Sequence, residues 1–293
     1  MGATLADASR AARDVFGEVD EALGQNLSRL MRDGPEDELK LTENAQPAIM
    51  ANSIAVLRAW GVDLAAKADF VAGHSLGEYS ALCAAESFGL PTTARLLKLR
   101  GQAMQAAVPV GQGAMAALLG VDLELAQKIA DAAAQGEVCT VANDNDPTQV
   151  VISGHKGAID RAIELAKEMG AKRALPLPVS APFHCPLMQP AADAMEEALA
   201  KIAIGTPSEA LVANVTARPT EDREEIRRLL VEQVTGMVRW RESVALMASA
   251  GVDHFVELGG KVLAGMVKRI APDVKVTSLV TIEDIEALAK EIA

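Results

Sequence analysis

Three features of the sequence predict an α/β fold in which a mostly parallel, helix-covered sheet carries an inserted β-α-β-β-α-β unit. Apolar residues change spacing along the chain, from helical intervals to strand-like runs and back. The middle strings these runs together in that six-element order, bracketed by the turn-rich segments "VPVGQG" and "PLPVSAP". Beyond it, helical stretches alternate with short apolar runs, as they do where helices cover a parallel sheet.

The first segment, to Lys67, reads as helical: "ASRAARDVFGEVDEAL" and "AQPAIMANSIAVLRAW" both space their apolar residues at helical intervals. A strand is predicted at 68–72 and helices at 77–86 and 92–107. Strands at 113–119, 137–142, 148–153 and 172–176, with helices at 122–134 and 156–169, form the inserted unit, whose order is ferredoxin-like. Asn143-Asp144-Asn145-Asp146-Pro147 reads as the turn between its middle strands. Then follow a helix at 187–201, a strand at 210–213 and helices at 221–234 and 241–250. A strand at 253–257 leads through Gly259-Gly260 into a helix at 261–270, and "VKVTSLV" is the last strand. The expected division is a large domain of 1–109 with 181–293 and a small domain of 110–180.

Of the 293 residues 50% are hydrophobic but only 3% aromatic, so the core must rest on Ala, Val, Leu, Ile and Met. A net charge of −12 argues against nucleic acid or an anionic membrane as partner. Cys83, Cys139 and Cys185 are far apart and lack metal-ligand spacing, which points to a reduced, cytoplasmic setting and no metal. No apolar run has the length of a membrane span, and the N-terminus shows no basic-then-apolar leader.

Within "VAGHSLGEYSA" stands the G-x-S-x-G pattern Gly73-His74-Ser75-Leu76-Gly77, after a strand and before a helix. That context suits a cramped strand-to-helix turn which lifts the Ser75 hydroxyl above a sheet beside a helix N-terminus, with glycines on both sides allowing close backbone approach. Ser75 is the expected nucleophile; a merely structural turn is the alternative. Only four histidines can serve it. His74 precedes the serine and should point away from the attack, against the pocket wall. His155 sits at a strand-to-helix turn and His254 in an expected buried strand. His184, in the proline-bracketed loop "SAPFHCPLM" where the chain re-enters the large domain, is the expected base. No carboxylate stands out as a third member, which favours a Ser–His dyad with a backbone acceptor.

In "TTARLLKLRGQAMQAA", helical projection puts Leu96, Leu97, Leu99, Ala103, Met104 and Ala107 on one arc and Arg95, Lys98, Gln102 and Gln105 opposite. Arg100 falls in the middle of the apolar arc. A buried guanidinium requires an anion, either an internal carboxylate or that of a substrate. Periodicity alone leaves the two readings level.

These residues, with "AQPAIMA", "GHSLGEYSAL", "LRGQAM", "GAMAALLG", "VANDND", "QVVISGH", "AKRALPLPVSAPFHCPLM" and "ELGGKVLAGMVKRI", closely resemble the malonyl-CoA:acyl carrier protein transacylases of bacterial fatty acid synthesis. The resemblance runs from the first helix to the last strand. It implies a hydrolase-like α/β domain with an inserted ferredoxin-like domain, a monomer, and no cofactor beyond the substrates malonyl-CoA and holo-acyl carrier protein. It implies that Ser75 is acylated, that His184 is the base and that Arg100 pairs with the malonyl carboxylate. By the same resemblance the backbone carbonyl of Gln233 orients the histidine, and Gln46, Asn143 and Asn145 line the acyl and pantetheine site. Phe183-His184 matches the malonyl-selective form. Lys172-Arg173, Arg239 with Arg241, and Lys268-Arg269 are the basic candidates for docking an acidic carrier protein.

One departure stands out. The family opens with a strand and a G-Q-G-S-Q loop that supplies an oxyanion donor, and this chain has neither. Its first residues resemble the segment just after that loop, so a start downstream of the family's is expected. The Leu76 N–H is then the remaining donor, and Gly111-Gln112-Gly113 is a hinge. Two rival readings use the same residues: a serine thioesterase or esterase with water as acceptor, and a weakly active or non-catalytic short form.

Overall fold

Sequence periodicity becomes a helical N-terminal layer in the computed structural model, which describes residues 1–179 and 181–292. Ser180, the last residue of the expected small domain, and Ala293 lie outside the described residues. The helix Arg10–Leu23 starts where Ser9 Oγ accepts the Ala12 N–H and ends at Gly24, whose φ of 57° suits a glycine stop. Its buried face is Ala12, Val15, Phe16 and Val19, the i, i+3, i+4, i+7 set. The helix Thr42–Trp60 packs closely on the helix Leu90–Ala107 because Gly101 has no side chain. A Cβ there would stand 2.5 Å from Glu43 Cα and 2.6 Å from Thr42 O. That crossing carries the first helix's polar residues to the second's buried face.

The strands are β1 (Phe70–Val71), β2 (Gly113–Leu119), β3 (Cys139–Asp146), β4 (Gln149–His155), β5 (Arg173–Pro176), β6 (Ala210–Val212), β7 (Pro219–Thr220), β8 (His254–Leu258) and β9 (Lys275–Leu279). β1 pairs parallel with β6, and β6 antiparallel with β7. β8 and β9 pair parallel, from His254 opposite Lys275 to Leu258 opposite Leu279. The other four strands form an antiparallel sheet in the order β3-β4-β2-β5. Its alternate residues Ala116, Leu118, Val150 and Ile152 pack against Ile129, Ala133, Ile159 and Ala162 of the helices Leu123–Ala134 and Lys156–Glu168. The molecule is thus an α/β fold of mixed sheets covered by helices.

Several expectations change. The strand expected over 68–72 is only two residues long, Phe70–Val71. β8 and β9 form a sheet of their own among the described residues, although Phe255 and Val276 share an apolar cluster with Phe70 and Val212. The expected turn at Asn143–Asp146 is strand: β3 runs on to Asp146, with irregular register after Val141 and after Asp144. Asp144, Asn145 and Asp146 are tolerated there because each meets a side chain from another element. Asp146 Oδ1 then accepts from Thr148 N at 2.8 Å and closes the tight turn into β4. The helix Ile282–Ile292 was not expected, and Leu99, placed on the apolar arc, is 36% exposed.

Candidate active site

β1 delivers the chain to Gly73–Leu76, and the helix Gly77–Ala84 follows at once. Ser75 sits at the left-handed φ of 54°, a strained conformation for a serine. Three hydrogen bonds hold it there. Ser75 N donates to Asn214 Oδ1 at 2.8 Å, Asn214 Nδ2 donates to Gly73 O at 2.8 Å, and Gln233 Nε2 donates to Ser75 O at 2.9 Å. Gly73 is required, since a Cβ would lie 2.0 Å from Gly77 C and O. A Cβ on Gly77 would meet nothing within 4 Å, so the second motif glycine is not sterically demanded. The Leu76 N–H has no backbone acceptor among the described residues.

His184 Nε2 lies 2.8 Å from Ser75 Oγ, and its Nδ1 lies 2.8 Å from Gln233 O. A carbonyl only accepts, so Nδ1 carries the ring proton and Nε2 presents its lone pair to the serine hydroxyl. His184 is 3% exposed and also at a positive φ, 56°. Burial, and next the charge of Arg100, push its imidazole down to about 3, so it stands neutral.

Arg100 is fully buried. Nη1 donates to Gln46 Oε1 at 2.8 Å; Nη2 donates to Gln233 Oε1 at 2.9 Å and to Ser75 Oγ at 3.2 Å. Gln46 is held in turn by Thr42, to whose Oγ1 its Nε2 donates at 2.9 Å. The Arg100 guanidinium lies over the Tyr79 ring, 5.8 Å from its centroid. No carboxylate among the described residues comes within ion-pair distance of it, which removes the simplest internal partner left open by periodicity. A cleft of about 400 Å³ opens onto this cluster, lined by Gln46, Ser75, Leu76, Arg100, Met104 and Phe183, among others.

The expected residues His74, Asn143 and Asn145 find their contacts in and around β3. His74 Nε2 lies 2.8 Å from Asn145 Oδ1, and its ring packs on Trp240. Asn143 lies in β3 and bridges to Val238. The His74–Asn145 contact and the backbone bridge to Val238 tie β3 to the segments that carry Ser75 and Trp240. His155 accepts the Val138 N–H, and His254, partly rather than fully buried, lies 2.9 Å from Thr277 Oγ1. Four of the basic docking candidates are engaged inside the molecule. Arg241 pairs with Asp144 at 2.8 Å, Arg269 with Asp146 at 2.9 Å and Arg239 with Glu242 at 3.1 Å, and Lys268 donates to Val274 O. Lys172 and Arg173 remain exposed. Sequence reasoning missed Asn214, Glu78, Thr42 and Met104. The only signal for the first was a lone amide ending an apolar run.

The sequence model of the acyl transferase domain family matches residues 1–277. A malonyl CoA-acyl carrier protein transacylase of Escherichia coli is 44% identical over 280 residues, covering 95% of this chain and 91% of that protein. The crystal structure of an acyl-carrier-protein S-malonyltransferase from Bartonella henselae superposes with a TM-score of 0.97 at 51% identity, covering 100% of this chain and 94% of that one. A malonyl-transacylase solved in complex with its type II PKS acyl-carrier protein superposes at 0.95 with 40% identity, covering 99% and 94%. The chain belongs to the acyl transferase domain family, among its malonyl CoA-acyl carrier protein transacylases.

Proposed function

We propose that this protein transfers a malonyl group from malonyl-CoA to the phosphopantetheine thiol of acyl carrier protein, through a malonyl-Ser75 intermediate. The observation that carries this reading is Arg100: a buried guanidinium with only neutral hydrogen-bond partners, 3.2 Å from the serine hydroxyl. A carboxylate one short acyl chain away from the serine ester is the anion it lacks.

In the first half-reaction Ser75 Oγ attacks the thioester carbonyl while His184 Nε2 takes its proton. The Leu76 N–H, at the start of the motif helix, faces the developing oxyanion. The intermediate collapses, the carbon–sulfur bond breaks, and the imidazolium returns its proton to the leaving thiolate. The second half-reaction runs these steps in reverse with the carrier thiol as nucleophile. Gln233 O holds the imidazole in the tautomer this requires. The malonyl carboxylate does more than bind: it cancels the Arg100 charge that depresses His184, and so strengthens the base when the right acyl group is present.

The steps as proposed use only this chain's groups and the two substrates, without metal or cofactor, and we place them in the cytoplasm. We read 1–109 with 181–293 as a hydrolase-like domain around the elbow, and 110–180 as a ferredoxin-like domain. The sheet order β3-β4-β2-β5 and its separate apolar core support the second reading. Of the basic candidates for carrier docking, the exposed Lys172-Arg173 pair is the one we retain. Incubation with malonyl-CoA, followed by mass spectrometry of the whole protein, tests the reading. A malonyl adduct that accumulates without carrier protein and is absent in Ser75→Ala supports it. Continuous turnover to free malonate would make the protein a thioesterase instead.

A further inference from the structure

Glu78 lies one helical turn after Ser75, and the reaction as described gives it no part. It is fully buried. Oε2 accepts from Gln233 Nε2 at 2.6 Å and from Asn214 N at 3.3 Å, while Oε1 has no partner. The Gln233 amide is oriented with its NH₂ toward Glu78 Oε2 and Ser75 O and its oxygen toward Arg100 Nη2 at 2.9 Å. One neutral amide thus separates a carboxyl from a guanidinium, with both away from water. The charged and titratable groups facing Glu78 are Arg100, from the helix Leu90–Ala107, and Tyr79, from its own helix. Gln233 and Asn214 are neutral, His184 bonds the Gln233 backbone carbonyl, and His74 meets Asn145. Burial pushes the Glu78 carboxyl up to about 7, opposed by its bonds to Gln233 and Asn214 and by the charge of Arg100.

We propose that loading a carboxylated acyl group onto Ser75 makes Glu78 take up a proton from solvent, because the acyl carboxylate replaces it as the counter-charge of Arg100. The inference rests on the reading of Arg100 as the malonyl carboxylate's partner. Before loading, the buried site holds one guanidinium and one carboxylate. After loading without protonation it would hold one guanidinium and two carboxylates. Protonating Glu78 restores neutrality, and the unpartnered Oε1 takes the proton without breaking a hydrogen bond. The exchange itself, serine hydroxyl plus thioester giving ester plus thiol, consumes no proton. An acetyl group brings no second carboxylate and leaves Glu78 unchanged. Glu78 touches no reacting atom; it is a positioning residue whose protonation state couples acyl selectivity to pH.

The test loads the intact protein with malonyl-CoA or acetyl-CoA in weakly buffered solution, reads proton uptake with a pH indicator, and counts adduct by mass. About one proton per malonyl group is expected at roughly one pH unit above the Glu78 midpoint, and far less one unit below it. Acetyl loading should take up none at either pH. Glu78→Gln keeps the shape and an acceptor toward Gln233 but cannot titrate, so its malonyl adduct should form without uptake. Malonyl adduct without uptake in the native protein, equal uptake with acetyl, or uptake that survives Glu78→Gln would each overturn the proposal. If that variant does not fold, difference infrared spectroscopy of the native protein with isotopically labelled malonyl decides. A protein carboxylic-acid band appearing on malonyl but not acetyl loading supports the proposal, and its absence overturns it. Absence of any malonyl adduct would instead sink the transfer reading itself, and the proton proposal with it.

Discussion

Arg100 and Asp144 are both fully buried charges, and the molecule treats them in opposite ways. Asp144 meets Arg241 in a close fork: Nε lies 3.0 and 2.9 Å from its two oxygens and Nη2 lies 2.8 Å away. Two residues further along β3, Asp146 meets Arg269 at 2.9 Å. These pairs are closed; they fasten β3 to the helices Trp240–Ser249 and Leu263–Ile270. Arg100 instead receives two amide oxygens and a hydroxyl, and the carboxyl that balances it, Glu78, is kept out of contact by the Gln233 amide. A buried charge that is hydrogen-bonded but has no carboxylate in contact is costly for folding and useful to a substrate. The contrast separates structural ion pairs from a site awaiting an anion.

The largest effect should come from removing the acyl acceptor. Ser75→Ala should lower malonyl transfer on the order of 10⁴–10⁶-fold, as loss of a nucleophile does elsewhere, while thermal unfolding stays close to native. A variant that still accumulates covalent malonyl would place the acceptor on another residue. Next comes Arg100→Ala, which should lower malonyl transfer by about 10²-fold, since a hydrogen-bonded charge contact contributes roughly 1.5–3 kcal/mol. Acetyl transfer should fall less, so the malonyl/acetyl ratio is the quantity to measure. An unchanged ratio would count against the carboxylate reading.

The closed pair should respond the other way. Asp144→Ala leaves Arg241 partly exposed, so water recovers part of the loss that a buried partner would suffer. A destabilisation of about 1–3 kcal/mol is expected, read as a lower denaturant midpoint, with the malonyl/acetyl ratio unmoved. If that ratio moved with Asp144, the two buried charges would not be separable and the comparison would fail.

The two regions also differed in how well they could be read from sequence. Strand-helix order across 113–176 was legible because alternation and helical spacing there are clean, and the elbow was legible because Gly73 and Ser75 need particular backbone geometry. Arg100 stood out for the same reason, a charge on an apolar arc. Asp144 and Asp146 were misread as turn residues because local chemistry favours turns there, and the arginines that override it come from about a hundred positions away. The Gln233 carbonyl was reached only through resemblance. Its side chain, Asn214 and Glu78 escaped notice because the partners that give them a role are far away in sequence, and a lone amide ending an apolar run is the one local sign of Asn214.

The smallest effect is the most specific, because burial shifts His184 and Glu78 in opposite directions. His184 is held at about 3 against an unfolded 6.5. As pH falls below 6.5 the unfolded chain binds a proton the native state refuses, so stability is lost down to about 3. Glu78 is raised to about 7 against an unfolded 4.5. As pH falls through 7 the native state binds a proton the unfolded chain does not yet hold, so stability is gained until about 4.5. Between 6.5 and 4.5 the two slopes oppose each other. Glu78→Gln removes the stabilising one, so over that window the variant should lose stability with falling pH more steeply than the native protein, by up to about 1.4 kcal/mol per pH unit. Denaturant unfolding of both proteins across the window measures the difference. Parallel curves would mean that Glu78 does not titrate there in the native state, and that the open site holds its counter-charge at every working pH.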